Sequence, residues 1–225
     1  LLEVKERKSK GAFYTPREIV HYMCQESLIN YLDAKVENVQ KEDFAEFVHS
    51  GDSVYKNKSI TKNLPESIKN YAADIDKALE NIKICDPAIG SGAFPVGIMN
   101  EIVRSRMALN EYICHCEEGQ SPDVTICSRT AYNFKRHAIE NSIYGVDIDN
   151  GAIETAKLRF WLSLVVDEED IKTIKPLPNL DYKIMQGNSL ISSYEGIDFD
   201  EIVENYKPNT QTTINLFGSK SKDII

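Results

Sequence analysis

No stretch of this chain approaches the roughly 18 consecutive apolar residues of a membrane span. The opening Leu1-Leu2-Glu3-Val4-Lys5 is not a cleavable signal. These absences predict a cytoplasmic protein without a membrane partner. Cysteine is scarce: five, at positions 24, 85, 114, 116 and 127, an odd number without the spacing of a disulfide framework, as in a reduced protein. Cys114-His115-Cys116 with Cys127 lacks the C-x₂₋₄-C pairs of structural zinc, so no metal site is predicted. Positive charge is in deficit, 26 Lys and Arg against 35 Asp and Glu for a net charge of −9. Such a chain does not by itself wrap a nucleic-acid backbone, and any nucleic-acid partner must be gripped mostly by other parts. An initiator methionine is missing as well. With a polar stretch that turns apolar at Asp223-Ile224-Ile225, this predicts a piece of a longer polypeptide.

What is present is ordinary in bulk: 225 residues, 42% hydrophobic, enough for a sizeable core in one large domain or one and a half. Its organising stretch is N-I-K-I-C-D-P-A-I-G-S-G-A-F-P-V-G at residues 81–97. A short apolar run leads into Asp86-Pro87-Ala88-Ile89-Gly90-Ser91-Gly92. From Ala93 and Phe94 onward, Val96, Ile98, Met99, Ile102 and Val103 recur at helical spacing. This is a strand, a glycine turn and a helix whose first N–H groups lack intrahelical partners, the corner at which nucleotides bind. Gly90 and Gly92 let a ligand approach the main chain. Two departures from the dinucleotide fingerprint matter: the third glycine is absent, and Asp86 at the strand's carboxyl end suits a ligand bearing a cation.

In chain order, residues 1–10 read as a solvated helix end, and the E-x-K of Glu3-Val4-Lys5 carries no nuclease assignment. Thr15, Pro16 and Glu18 make a capping box with a proline start, which predicts a helix beginning at Pro16. The aromatics Phe13 and Tyr14 before it are not explained by capping, and a helix N-terminus there can hold a carboxylate. Weak amphipathic signals surround Phe44, Phe47 and Val48, residues 51–63 read as a loop, and residues 65–79 as one helix. Residues 1–80 thus form a helical region ahead of an α/β core at 81–225, with an insertion at about 110–140 and an irregular segment at 110–130. Residues 142–149 predict a second strand ending in Asp147, with Asp149 or Asn150 capping the next helix. That helix carries Ile153, Ala156, Phe160, Trp161, Leu164 and Val165 toward the core, with Leu158 and Leu162 widening the stripe. A third strand at residues 181–186 runs into Gly187-Asn188-Ser189-Leu190.

Three strand ends therefore present Asp86, Asp147 and Asn188, and in a doubly wound sheet such tips line one crevice. They describe a ligand with a cationic end, a ribose whose hydroxyls one carboxylate can hold, and a base whose amine needs an acceptor. S-adenosylmethionine has all three, whereas the pyrophosphate of NAD would be repelled by Asp86.

With these residues in hand, the chain resembles the N6-adenine DNA methyltransferases of the gamma motif order. It is most similar to those of the type IIG-like restriction–modification and phage-defence polypeptides. The resemblance rests on G-A-F-Y-T-P-R-E-I-V at 11–20, D-P-A-I-G-S-G-A-F at 86–94, Y-G-V-D-I-D at 144–149 and G-N-S-L at 187–190. It implies a doubly wound Rossmann-like α/β methyltransferase sheet, truncated here and preceded by a helical layer, with S-adenosylmethionine as cofactor. Tyr14 and Thr15 would meet the methionine carboxylate, and Asp86, Pro87, Ala88, Gly90, Gly92 and Phe94 would surround the methionine moiety. Asp147 would take the ribose, Ile148 would pack on the adenine, and Asn188, where the family often has Asp, would accept from the adenine amine. The family's catalytic N-P-P-Y occurs nowhere in the chain, so no catalytic residue is assigned. DNA, a target-recognition domain and a fused nuclease would be engaged through other parts of the parent polypeptide. Methyl transfer to protein or RNA, and a non-catalytic cofactor sensor regulating a nuclease, are the alternative functions.

Overall fold

A computed structural model describes residues 15–56, 64–116, 129–166, 176, 178–195 and 197–198. Four helices come first: α1 (Arg17–Lys35), α2 (Lys41–Lys56), α3 (Glu66–Asn70) and α4 (Ala72–Asn81). Strand β1 (Ile84–Asp86) then leads through the glycine turn into α5 (Ala93–Cys116), and α6 (Ala131–Asn141) leads into β2 (Ile143–Asp147). Next come α7 (Asn150–Val165), β3 (Ile184–Gln186) and a hairpin of β4 (Ser193–Tyr194) with β5 (Ile197–Asp198).

The first three strands form one parallel sheet in the order β1-β2-β3. Parallel neighbours need a crossover, and α5 with α6, then α7, supply the two. Ile84 stands opposite Ile143, Asp86 opposite Gly145, and Asp147 opposite Gln186. The register places the carboxyl ends of β1 and β3 at either side of the tip of β2. One sheet face is sealed, with Ile143 and Ile184 almost fully buried in a cluster with Met99, Ile153, Ala156 and Phe160. On the other face Cys85 and Met185 are exposed, and Lys183 Nζ lies 4.7 Å above the Tyr144 ring.

Helix α5 is the wall shared by two cores. Its Ile98, Ile102, Ala108 and Leu109 join Leu28, Leu32, Phe44, Phe47, Ile68, Ile75 and Leu79 in the helical layer, while its Met99 faces the sheet cluster. Two buried ionic groups cross the same wall. Arg106 donates from Nε to Asp76 Oδ1 at 2.8 Å and lies 4.3 Å over the Phe134 ring. Arg129 shares the same carboxylate at 3.1 Å. Glu101, 3% exposed, accepts from Arg104 at 2.6 Å and from Gln25 at 3.4 Å, and meets His21 at 3.1 Å.

Several boundaries differ from the sequence reading. Pro16 is itself the cap of α1, its ψ of 146° is extended, and its carbonyl accepts the first helical bond from Val20. Thr15 therefore makes no cap, and the expected capping box does not form. Helix α2 runs through Gly51 to Lys56, where a loop was expected; Gly51 is buried in the helix, and a Cβ there would stand 3.7 Å from Arg104 Cβ. The single helix over 65–79 is two, broken at Tyr71, whose N–H reaches back to Lys69 and Ser67 while Ile68 and Ala72 stay in the core. Helix α5 continues to Cys116 through the segment read as irregular, because Leu109 is fully buried, Tyr112 and Ile113 pack on the helical core, and Asn110 exchanges hydrogen bonds with Arg129. The core stripe of α7 is narrower than predicted. Ile153, Ala156, Phe160 and Leu164 are buried, whereas Leu158, Trp161 and Leu162 are 53%, 39% and 46% exposed. The helix end expected at residues 1–10, the part of the irregular segment from 117 to 128, and everything after Asp198 lie outside the described residues.

Candidate cofactor-binding site

The strand tips meet because backbone groups bind them to one another. Ile89 N donates to Val146 O at 3.0 Å, carrying the glycine turn across the end of β2, and Gly187 N donates to Asp147 O at 2.9 Å on the other side. Gly145 makes that approach possible. A Cβ there would stand 2.4 Å from Ile89 Cδ1, so only glycine lets the Ile89 side chain, 3% exposed, close over the strand.

The turn itself uses both of its glycines. Gly90 has φ +53 and Gly92 φ +82, and a Cβ on Gly92 would meet Ala156 of α7 at 3.1 Å. Gly92 thus serves the turn and also the close approach of two helices. The third glycine of the dinucleotide fingerprint is not needed for that packing. Gly97, one helical turn further on, has a different neighbour: its bare Cα accommodates Cys24 Sγ and Val20 of α1, each at 3.0 Å from a would-be Cβ. Cys24 also donates to Phe94 O at 3.6 Å. The helix that follows the F-Y-T-P stretch is in this way seated on the first turn of α5.

Asp147 is the centre of the arrangement. Its Oδ2 accepts from Gly90 N at 2.8 Å and its Oδ1 from Asp149 N at 2.9 Å. Each carboxylate oxygen has a lone pair left for a ligand hydroxyl. Asp149 in turn caps α7, accepting from Gly151 N at 3.2 Å. Asp86 Oδ1 accepts from Ala88 N at 3.0 Å. Its carboxyl is pushed above the usual carboxylate range, chiefly by burial and further by the Asp147 charge, against the opposing effect of the Ala88 hydrogen bond. A half-buried carboxylate whose ionisation is disfavoured by its surroundings gains from a cation placed beside it.

The loop after β3 closes the other side. Ser189 Oγ donates to Pro87 O at 2.6 Å, Asn188 Oδ1 accepts from Leu190 N at 3.0 Å, and Gln186 Nε2 donates to Ile148 O at 3.0 Å. Ile148 is 71% exposed beside these groups. Of the residues singled out in the sequence, Asp86, Pro87, Ala88, Gly90, Asp147, Ile148 and Asn188 are thus tied into one set of loops, with Gly92 beneath them. Phe94 packs against the helical core and contributes its carbonyl to α1. Thr15 is exposed at the start of α1 and, among the described residues, makes no hydrogen bond; Tyr14 lies outside the described residues. Sequence reasoning missed Ser189 and Gln186. Both stand beside motif residues at a strand's carboxyl end, so the strand-tip rule that selected Asn188 applied to them equally. Among the described residues no group of three His, Cys, Asp or Glu side chains is placed to hold a metal; Cys127 lies outside them. No described helix is long and apolar enough to cross a membrane.

No protein-family model matches the chain. A protein of Methanocaldococcus jannaschii named "putative type II restriction enzyme and methyltransferase" is 29% identical over 204 residues. The match covers 85% of this chain, which spans 15% of the length of that relative.

Proposed function

We propose that this chain is the S-adenosylmethionine-binding portion of a site-specific DNA adenine-N6 methyltransferase of a restriction–modification system. The observation that carries the reading is the convergence of Asp86, Asp147 and Asn188 at the carboxyl ends of three adjacent parallel strands, around a turn of two glycines with positive φ. The residues fit the cofactor. The Gly90–Gly92 turn leaves main chain open to the methionine moiety, and Asp86 offers a carboxylate to its ammonium and sulfonium charge. Asp147 keeps lone pairs for the ribose hydroxyls, and Ile148 offers an exposed apolar surface to the adenine. Thr15 at the head of α1, with Tyr14 preceding it in sequence, serves the methionine carboxylate.

When bound, the cofactor supplies an electrophilic methyl group. This chain's residues hold and orient it, and in such a reaction alignment of the two reactants is the larger part of catalysis. The target adenine is swung out of the duplex and held by groups that this chain does not contain, since the N-P-P-Y sequence is absent. Target recognition, and a nuclease activity of the kind the archaeal relative's name includes, belong to other parts of a parent polypeptide. The name of that relative and the F-Y-T-P helix favour DNA as substrate over protein or RNA.

Calorimetric titration with S-adenosylmethionine and with NAD tests the cofactor: heat is expected for the first alone, and equal binding of NAD overturns the reading. Transfer of labelled methyl to duplex DNA is expected of the parent polypeptide and not of residues 1–225. Transfer by residues 1–225 alone overturns the division of labour.

A further inference from the structure

Glu101 is an acid where the fold alone would favour a hydrophobe. It is 3% exposed on α5, and its helix neighbours Ile98 and Ile102 are core residues. Burying a carboxylate with its partners gains little stability over well-packed apolar side chains. What the carboxylate adds is direction. Its Oε1 accepts from Arg104 Nη1 at 2.6 Å and meets His21 Nδ1 at 3.1 Å, while its Oε2 accepts from Gln25 Nε2 at 3.4 Å. His21 and Gln25 lie one turn apart on α1, so a single side chain of α5 grips α1 at two successive turns. Gln25 Oε1, 3.2 Å from His49 Nδ1, extends the grip to α2. A slip of α1 by one residue, about 1.5 Å along its axis and about 100° around it, would break this set. Apolar packing of Val20 and Cys24 over Gly97 sets how closely the two helices approach, but it is not directional.

Register matters at the head of α1. The N–H groups of Arg17, Glu18 and Ile19 precede the first helical bond, from Val20 N to Pro16 O, and no side chain of the cap residue serves them. Glu101 lies on the helix that begins at the glycine turn, so its bonds decide where those donors stand relative to Gly90 and Gly92. Resting on the cofactor reading above, which seats the methionine carboxylate at the head of α1, we infer that Glu101, acting through His21 and Gln25, is a positioning residue for that carboxylate. It touches no ligand itself; it keeps the α1 donors in register with the glycine turn.

The test separates register from stability. Gln25→Leu/Glu101→Leu replaces both buried polar groups with apolar ones of similar size, a change of the kind that leaves stability nearly unaltered. The partners left behind reach water: the Arg104 and His21 side chains are 29% and 38% exposed, and His49 is exposed. The full chain, this double variant and His21→Ala are titrated with S-adenosylmethionine and with its decarboxylated analogue, and each protein is melted. The double variant is expected to melt with the native chain, to bind S-adenosylmethionine about tenfold more weakly, and to bind the analogue as the native chain does. His21→Ala should weaken S-adenosylmethionine alone as well, by about threefold, and it carries the test by itself if the double variant does not fold. Unchanged affinity for S-adenosylmethionine in the folded variants, or equal weakening of both ligands, overturns the positioning role alone. Absence of S-adenosylmethionine binding by the native chain overturns the cofactor reading with it.

Discussion

Asp147 holds Gly90: the carboxylate at the tip of β2 accepts the glycine amide at 2.8 Å, and with its other oxygen accepts Asp149 N at 2.9 Å. One side chain thus fixes the glycine turn, the strand end and the approach to α7, whatever it does for a ligand. Because both oxygens face backbone donors, Asp147→Asn must set an NH₂ against one of them. We expect it to cost about 1–3 kcal/mol of stability, as much as Asp147→Ala, since an unpaired donor offsets the bond retained. Thermal denaturation of the three proteins measures this. An Asn variant that melts with the native chain would show that the carboxylate does not hold the turn. Loss of cofactor binding in either variant has to be read beside its melting curve.

Gly145 gives a second prediction of the same kind. Alanine there places a methyl 2.4 Å from Ile89 Cδ1 and 3.1 Å from its Cβ and Cγ1, so the buried Ile89 side chain must shift. A loss of about 1–3 kcal/mol is expected from overpacking. Ile89→Val removes the offending methyl, so the Gly145→Ala/Ile89→Val double variant should be more stable than the sum of the two single effects. Urea denaturation of the four proteins closes the cycle, and strict additivity would mean that the strain lies elsewhere.

The raised Asp86 carboxyl makes stability and binding respond to pH in opposite directions. Its folded value lies above its unfolded one, so the native state holds the proton more tightly. The corresponding stability is present below the ordinary carboxylate range and is lost as pH rises from that range through the raised value. A cation beside Asp86 favours the ionised form, so binding S-adenosylmethionine should release a proton and strengthen over the same window. Titration in two buffers of different ionisation enthalpy should give different apparent heats, and Asp86→Asn should abolish the difference. Equal heats for the native chain across that window would remove Asp86 from the cationic end of the ligand.

The parts of this architecture legible in sequence were those fixed by local chemistry. Ile84-Cys85-Asp86 before a glycine turn, and Ile143 to Asp147 before a cap, needed no partner to be recognised, and both strands form where expected. What escaped was set by contacts distant in sequence. That Asp147 is engaged by Gly90, 57 residues away, and Pro87 by Ser189, 102 residues away, follows from strand order, which periodicity does not encode. The extent of α5 escaped for a related reason. Leu109, Tyr112 and Ile113 are apolar enough to continue a helix, but only their packing on a second core determines that they do. Trp161, Leu158 and Leu162 erred the other way. A helix apolar all round reads as wholly buried, and here only the face toward Ile153 and Phe160 meets a described partner.

Cys24 offers a reporter for the contact between α1 and the glycine-turn helix. Its thiol is 3% exposed and is pushed up to about 12, first by burial and then by the Glu101 and Asp86 carboxylates. At about pH 8 almost none of it is thiolate, the reactive form. Cys85 on the open sheet face is exposed. Alkylation followed by peptide mass analysis should therefore label Cys85 readily and Cys24 only when α1 lifts from α5. Gly97→Ala, which crowds Cys24 and Val20 at 3.0 Å, should speed Cys24 labelling and leave Cys85 unchanged. If the head of α1 serves the methionine carboxylate, saturating S-adenosylmethionine should slow Cys24 labelling in the native chain by stabilising the seated helix. Labelling of Cys24 at the rate of Cys85 would show that the helix is not held there. A rate indifferent to the cofactor would separate α1 from the ligand and leave the strand-tip loops as the whole of the site.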